Sequence, residues 1–477
     1  MSAGGRIARV VGGVVSAATC ATVAVAQRPG GLPLPAAAPA RAYVFPRVQT
    51  QRLPNGLVVE IVEDHALPLV AVRAVIDGGA LLEPAGKEGL FLLDTLLVRD
   101  GTASMTGDSL AEAIEDLGAP LSPTRFTSVA GQFGKSLALM GEMLMRPTFP
   151  AAALERRRAA VTALLQRAEG QPATPAIRIF NHVVFGPGHP LARTVTAASL
   201  ASITRDDVAR FHDEHVRPQN VTLVIVGDLT PASAMPVVTR VFGRWQAGGE
   251  RAVVTVPPAR APHPTTIYLF DRPGAPQSTI RIGQAGPARS SPDSYALEVA
   301  SAILGGPTGS RLSLALRERR SLTYGVTHGT AWRRLEIPSS IIGQANVDAA
   351  KTDSALIVWL AELKDITGAR PPTGDEMIFG RSVTVGNLAT RLETFDAVAN
   401  QIAQMALDHL PMTYMDEYVR RIDGLTTAQV AAAASRYIDP AHTAIVVVGD
   451  RKTLEPTLRA ANIAPVVVVD GSGNVQP

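Results

Sequence analysis

The sequence predicts an α+β protein built from two tandem, related domains, each an antiparallel sheet flanked by helices. Three observations carry that prediction. One segment recurs: Ile203-Thr-Arg-Asp-Asp-Val208, Pro218 and the apolar run Val221 to Gly227-Asp228 return as Leu425-Thr-Thr-Ala-Gln-Val430, Pro440 and Ala444 to Gly449-Asp450. Thr204 and Thr426, Pro218 and Pro440, and Gly227 and Gly449 are each 222 residues apart, a repeat of domain length. Strands and helices mix without strict alternation, which argues against a doubly wound parallel sheet. Finally, Val256-Pro-Pro-Ala-Arg-Ala-Pro-His-Pro264 punctuates the chain between the two copies.

The expected organisation starts with a signal peptide over residues 1–26. Arg6 and Arg9 give a basic start, Val10 to Ala18 an apolar middle, and Ala24-Val25-Ala26 a small-residue cleavage site. The apolar run is interrupted by Gly12, Gly13, Ser16 and Thr19 and is too short to span a bilayer. The mature chain is therefore expected to be exported, and periplasmic if the source is Gram-negative, with no transmembrane segment. A Pro/Ala-rich lead-in over 27–46 follows, then an N-terminal domain over 47–250, a Pro-rich linker over 251–264, a C-terminal domain over 265–454 and a tail over 455–477, with Arg451 to Pro477 read as a terminal helix followed by a loosely held tail.

Composition narrows the chemistry. The 477 residues are 46% hydrophobic and 18% charged, enough for more than one core. Cys20, the only cysteine, lies inside the signal segment, which leaves the mature chain without a disulfide, a cysteine metal site or a thiol nucleophile. Lys and Arg total 45 against 42 for Asp and Glu, a near-neutral balance that calls for neither nucleic acid nor an anionic membrane.

Taken in order, Val48 to Asp64 reads as a hairpin around Pro54-Asn55-Gly56. Leu69 to Asp77 is a further strand. Gly89 to Gly101 is an apolar helix with an almost wholly buried interior, because Leu90, Leu93 and Leu97 adjoin a second stripe of Leu92 and Leu96. Asp108 to Leu117 is a helix capped by Asp108 or Ser109, and Ser136 to Met145 and Ala151 to Ala168 are two more. Ile203 to His215 is helical, and Val221 to Val226 is a buried strand.

Around the apolar helix, Asp77-Gly-Gly-Ala80, the Gly89-Leu90 start and the Gly101-Thr102 stop resemble the metal-binding segment of M16 zinc peptidases. Phe185-Gly-Pro-Gly-His-Pro190 is similar to a turn of the same family. So is the segment Leu304-Gly-Gly306, Gly309-Ser-Arg-Leu312, Leu316-Arg-Glu318 and Tyr324-Gly-Val326. The resemblance covers roughly Arg47 to Leu454 and implies two αββα-type domains forming a cupped, clamshell-like molecule.

It also implies an inverted His-x-x-Glu-His zinc motif on the first helix, with a third ligand, a Glu, on a later helix. The ligand positions hold Leu92, Leu96 and Leu164, the general-base position Thr95, and a supporting acidic position Arg157. Leucine has no lone pair for a metal and threonine is no general base. This chain is thus expected to bind no zinc.

The family's Arg/Tyr pair matches Arg317 and Tyr324, with Ser321 where Gly is usual. The resemblance implies that the pair reaches a zinc site in another domain or subunit, binds the substrate backbone and supports the oxyanion. Spacing alone favours Arg317 as a solvated charge pairing with Glu318 or Glu298 and Tyr324 as a half-buried strand residue; the surrounding motif turns the reading to the functional pair. Other candidates are weaker. His212-Asp-Glu-His215 reads as a solvated helix end, His182 and His189 as packing or turn residues, and His65 as exposed. His328 alternates to the face of Tyr324, where it could touch substrate, but a structural role is favoured. Gly305 to Ser310 lacks the Lys of a phosphate loop.

Two functions follow. The chain is the non-zinc subunit of a heteromeric M16 metallopeptidase acting on peptides, with zinc carried by a partner that keeps His-x-x-Glu-His. Alternatively, it is a catalytically inactive scaffold or peptide-binding protein.

Overall fold

The computed structural model describes residues 44–386 and 388–476. The expected signal peptide and most of the lead-in lie outside the described residues. Within them are two six-stranded sheets flanked by helices. No helix among the described residues is long and apolar enough to cross a membrane.

The first sheet uses β1 (Gln49–Arg52), β2 (Val58–Glu63), β3 (Leu69–Ile76), β4 (Leu121–Ser122), β5 (Arg125–Val129) and β6 (Val221–Gly227) in the order β1-β2-β6-β3-β5-β4. The second uses β7 (Thr266–Asp271), β8 (Gln277–Ala288), β9 (Thr323–Ala331), β10 (Pro338–Asp348), β11 (Ala444–Gly449) and β12 (Val466–Val469) in the order β12-β7-β11-β8-β10-β9. Five positions correspond strand for strand. The sixth, at the edge beside β2 or β7, is filled from the N-terminal side in one sheet and from the C-terminal side in the other.

Both sheets are mixed, which corrects the expectation of antiparallel ones. β2 runs parallel to β6, β7 parallel to β11, and β12 parallel to β7. Long helical stretches separate β2 from β6 and β7 from β11, and only such crossovers let parallel neighbours form. The expected loose tail is also corrected. Helix Arg451–Ala461 leads into β12, whose four valines pair with β7 and bury Val469.

β1 and β2 pair as the hairpin expected around Pro54-Asn55-Gly56, and Gly56 takes the left-handed backbone (φ 94°) that the turn requires. The cap of the next expected helix is Thr106, which accepts from the Ser109 N–H, rather than Asp108 or Ser109. Its β-region backbone leaves the hydroxyl one turn below that donor.

Strand β11 reads as an unbroken apolar run, and β6 as one interrupted only by Thr222, because both of their faces are covered. For β6, Leu223 and Ile225 enter the main core of the first half, while helix Phe395–Leu407 packs across β3 and β6. For β11, Val446 and Val448 pack under helix Ala173–Phe185, through Ile179, Phe180 and Val183. Each sheet is therefore covered by a helix from the other half of the chain. Arg73 of β3 fixes one of these seams: its Nε donates to Asn400 Oδ1 at 2.7 Å, and Nη2 pairs with Asp396.

Helix Leu90–Leu97 is held from both sides. Glu83, buried, accepts from the N–H groups of Gly89 (3.2 Å) and Phe91 (2.8 Å), replacing bonds the first turn cannot make internally. Asp94, also buried, meets His212 Nδ1 at 2.8 Å, and His212 Nε2 lies 3.0 Å from the Leu144 carbonyl. His212 is a fully satisfied core residue, not the solvated helix end the sequence suggested. It lies four residues after Val208 in its helix and next to Phe211, so it shares their inward face.

Removing either partner of this buried pair leaves the other unpaired. His212→Ala and Asp94→Ala are each expected to lower unfolding free energy by about 3 kcal/mol in denaturant titration. A loss below about 1 kcal/mol for both would show that the pair does not hold the helix.

Candidate functional site

The segment from Leu312 to Val326 places Arg317 and Tyr324 through three consecutive backbone irregularities. Ser313–Glu318 is a π-helical turn, in which the Arg319 N–H reaches back to the Leu314 carbonyl at 3.0 Å. Such turns are rare, and many occur at functional positions. Its inner side is anchored by buried Leu312, Ala315 and Leu316. Just before it, Arg311 forms a two-pronged contact with Glu376, both N–O distances being 2.7 Å, and donates to the Arg370 carbonyl at 2.6 Å.

Ser321 ends the turn in left-handed backbone, φ 50°. Its N–H donates to the Arg317 carbonyl at 3.0 Å, which ties this conformation to the arginine's own position. The position where glycine was expected is one where the backbone favours glycine.

The third irregularity is a β-bulge. Thr323 pairs with Val347 and Val326 with Ala345, so β9 carries one residue more than β10 between these pairs. Thr323 and Val326 both point into the core, and Tyr324 with Gly325 is pushed outward. Tyr324 is 92% exposed. The Arg317 guanidinium lies over its ring, Cζ 5.5 Å from the centroid, while Arg317 Nε is 3.2 Å from Glu318 Oε1. The structure thus brings the two sequence-singled residues together, and it also contains the surface ion pair with Glu318.

The bulge corrects the expectation for His328. Simple alternation would put Tyr324, Val326 and His328 on one face, but the extra residue resets the parity. His328 turns inward against Gly305 and Gly343, beside the buried Trp359. A Cβ at Gly305 would meet His328 Cβ at 2.5 Å, so Gly305 serves close packing. Burial pushes the His328 imidazole down to about 4, and its Nδ1 has no hydrogen-bond partner among the described residues.

Arg317 and Tyr324 line an open cleft of about 700 Å³ together with Thr327, Gln344, Asn346 and Asp348. These last residues were not singled out from the sequence. The available signal was the polar alternation Gln344, Asn346, Asp348 in β10, matched by Gln277, Thr279, Arg281 in β8.

The helices at the zinc positions that the resemblance implies have a different character. Helices Leu90–Leu97 and Ala151–Glu169 pack against each other, as the resemblance requires of the segments that carry zinc ligands. Leu92 and Leu164 are exposed, at 40% and 56%, so the helix interior is not wholly buried as expected. Leu92 lies one residue around from the core stripe of Leu90, Leu93 and Leu97 and faces outward, whereas Leu96 is half-buried and packs against the core. Thr95 Oγ1 donates to the Phe91 carbonyl at 2.8 Å, and Arg157 Nε pairs with Asp100 at 2.8 Å. Among the described residues no three His, Cys, Asp or Glu side chains converge as metal ligands. The residues at the zinc positions do not fit that metal.

Two further histidines have local partners. His65 bridges Glu63 (3.0 Å) and Asp228 (2.6 Å) in an exposed turn. His189 accepts from the Leu191 N–H at 3.1 Å and stacks on Phe185.

Comparison with known proteins agrees with this architecture. Residues 202–377 match the family described as Peptidase M16 inactive domain. Cytochrome b-c1 complex subunit 1 of Bos taurus is 26% identical over 54% of this chain and 56% of that protein, so the match spans little more than half of the relative. The mitochondrial-processing peptidase subunit beta of Blastocladiella emersonii is 23% identical over 85% of this chain and 89% of its own. The crystal structure of a peptidase M16 inactive domain from Pseudomonas fluorescens superposes with a TM-score of 0.76 at 24% identity, covering 85% of this chain and 98% of that one.

Two outcomes test the local physics. Ser321→Gly relieves the left-handed strain and is expected to raise stability by about 0.5–1 kcal/mol in thermal unfolding; a loss would show that the serine makes compensating contacts. For His328, the unfolded chain takes up a proton near pH 6.5 while the folded imidazole resists protonation down to about 4. Stability therefore falls as pH drops through that window, by roughly 2–3 kcal/mol, and His328→Leu removes this part of the loss. An unaltered acid profile in the variant would place the titration elsewhere.

Proposed function

Starting from a chain that is a relative of the M16 peptidases and carries leucines at their zinc positions, we propose that it is the zinc-less subunit of a heteromeric M16 peptidase. A partner with an intact His-x-x-Glu-His motif supplies the zinc, and this chain supplies Arg317 and Tyr324 and part of the chamber wall. The mature chain works outside the cytoplasm, in the periplasm of a Gram-negative source, on peptide substrates.

The observation that carries this reading is the exposure of Tyr324. A tyrosine 92% open to solvent, stacked by an arginine at the rim of a cleft, contributes almost nothing to the core. Three irregular backbone features in fourteen residues nevertheless converge to present it. Strained geometry of this kind concentrates where a side chain has to be aimed. A guanidinium and a phenol held side by side can donate to one peptide carbonyl oxygen as negative charge gathers on it. Two relatives are themselves named as subunits, one of a processing peptidase and one of cytochrome b-c1.

The second relative supports the other reading, a catalytically inactive scaffold, in which Arg317 and Tyr324 are dispensable. The two are separated by reconstituting the chain with its partner. In the peptidase reading, Arg317→Ala or Tyr324→Phe lowers kcat on an unfolded peptide on the order of a hundredfold. The size-exclusion profile of the complex stays the same. Unchanged turnover in both variants would refute the shared site.

A further inference from the structure

The cleft beside Tyr324 is the uncovered end of a sheet face. Helix Ala173–Phe185 crosses that face and covers β11, with Tyr268 of β7, Ala285 of β8 and Ile342 of β10 at its margin. Beyond Ile342 the same face of β10 continues as Gln344, Asn346 and Asp348. Their direct cross-strand partners on β8 are Arg281, Thr279 and Gln277, and Thr327 of β9 pairs with Gln344. A sheet face left open in this way is normally an energetic liability, and here it is polar throughout.

Two side chains on it are held in fixed orientation. Arg281 stacks on Phe180, Cζ 5.1 Å from the ring centroid, and its Nη1 donates to Gln344 Oε1 at 2.9 Å. A guanidinium has donors only, so the Gln344 carbonyl must face it, which turns the NH2 group away. Likewise the buried Thr279 hydroxyl donates to Asn346 Oδ1 at 2.8 Å. Neither amide nitrogen has an acceptor among the described residues. Two oriented donors thus stand two residues apart on one strand, about 6.6–6.8 Å along it.

We propose that Gln344 and Asn346 form a ladder of fixed amide donors that binds alternate backbone carbonyls of an extended peptide lying along β10 toward Tyr324. The spacing is the argument. Carbonyls on one side of an extended chain repeat every second residue, at the same pitch as the two donors. Neutral amides suit a neutral backbone, and Asp348 at the end of the row disfavours phosphate or other anions. Ordered donors also lose little freedom on binding, because Arg281 and Thr279 have already fixed them. The inference rests on the cleft being a peptide site, and it extends that reading from the reacting bond to the flanking residues of the substrate.

The test uses the mature chain alone and a fluorescein-labelled, unstructured dodecapeptide, with affinity read by anisotropy. Gln344→Met and Asn346→Leu keep side-chain volume and remove the donors. Each is expected to weaken binding about three- to tenfold, the effect of one neutral hydrogen bond. A scan of the peptide with single backbone esters against the wild-type chain should show losses at every second position. That scan holds even if a variant folds poorly. Absence of saturable binding, unchanged affinity in both variants, or losses without a two-residue period would each overturn the ladder. The shared site is read separately: if Arg317→Ala and Tyr324→Phe still impair turnover of the complex, it survives failure of the ladder. If they do not, the ladder stands without it.

Discussion

The rest of the structure depends on an exchange of helices between the two halves. Helix Ala173–Phe185, from the first half, seals β11 of the second sheet, and helix Phe395–Leu407, from the second half, seals β3 and β6 of the first. A strand such as Ala444–Gly449, buried along its whole length, cannot lose its cover without exposing a row of valines. Neither half can therefore be stable as the sequence repeat alone would suggest. Buried Arg73, bonded to Asn400 and paired with Asp396, adds a polar seam whose groups are satisfied only when both halves are in place.

The same exchange creates the cleft. Helix Ala173–Phe185 ends its coverage at Ile342, and the remaining rows of β8, β9 and β10 face solvent. Core packing on the opposite side of those strands, through Ile280, Val326, Ala345 and Trp359, keeps the open face rigid. A π-helical turn, a left-handed serine and a β-bulge then aim Arg317 and Tyr324 over its rim. The helix pair that the resemblance assigns to a zinc site carries leucines at the ligand positions. Leu92 and Leu164 point outward because these positions belong to the outer faces of their helices, and no core claims them.

Much of this was legible in the sequence. The 222-residue repeat identified the two sheets' shared central strands, because a strand buried on both faces is apolar at nearly every position. The resemblance located the leucines at Leu92, Leu96 and Leu164 and the pair Arg317 and Tyr324. What failed were features decided by non-local partners. The parity of β9 is set by its pairing with β10, so His328 could not be placed by counting from Tyr324. The environment of His212 is set by Asp94 and the Leu144 carbonyl, more than sixty residues away in sequence. The edge strand Val466–Val469 exists because β7 offers it a partner, whereas its own sequence is a run of only four valines that does not say which strand it joins. Gln344 and Asn346 stood out only once their cross-strand neighbours were known.

The most direct test of the central claim is purification of this protein from its source cells, with bound zinc and co-purifying chains quantified together. The account predicts a stable complex with a second chain that carries His-x-x-Glu-His, holds the zinc, and cleaves unfolded peptides. Recovery of this chain alone or only with copies of itself, free of zinc and of peptidase activity, would contradict it.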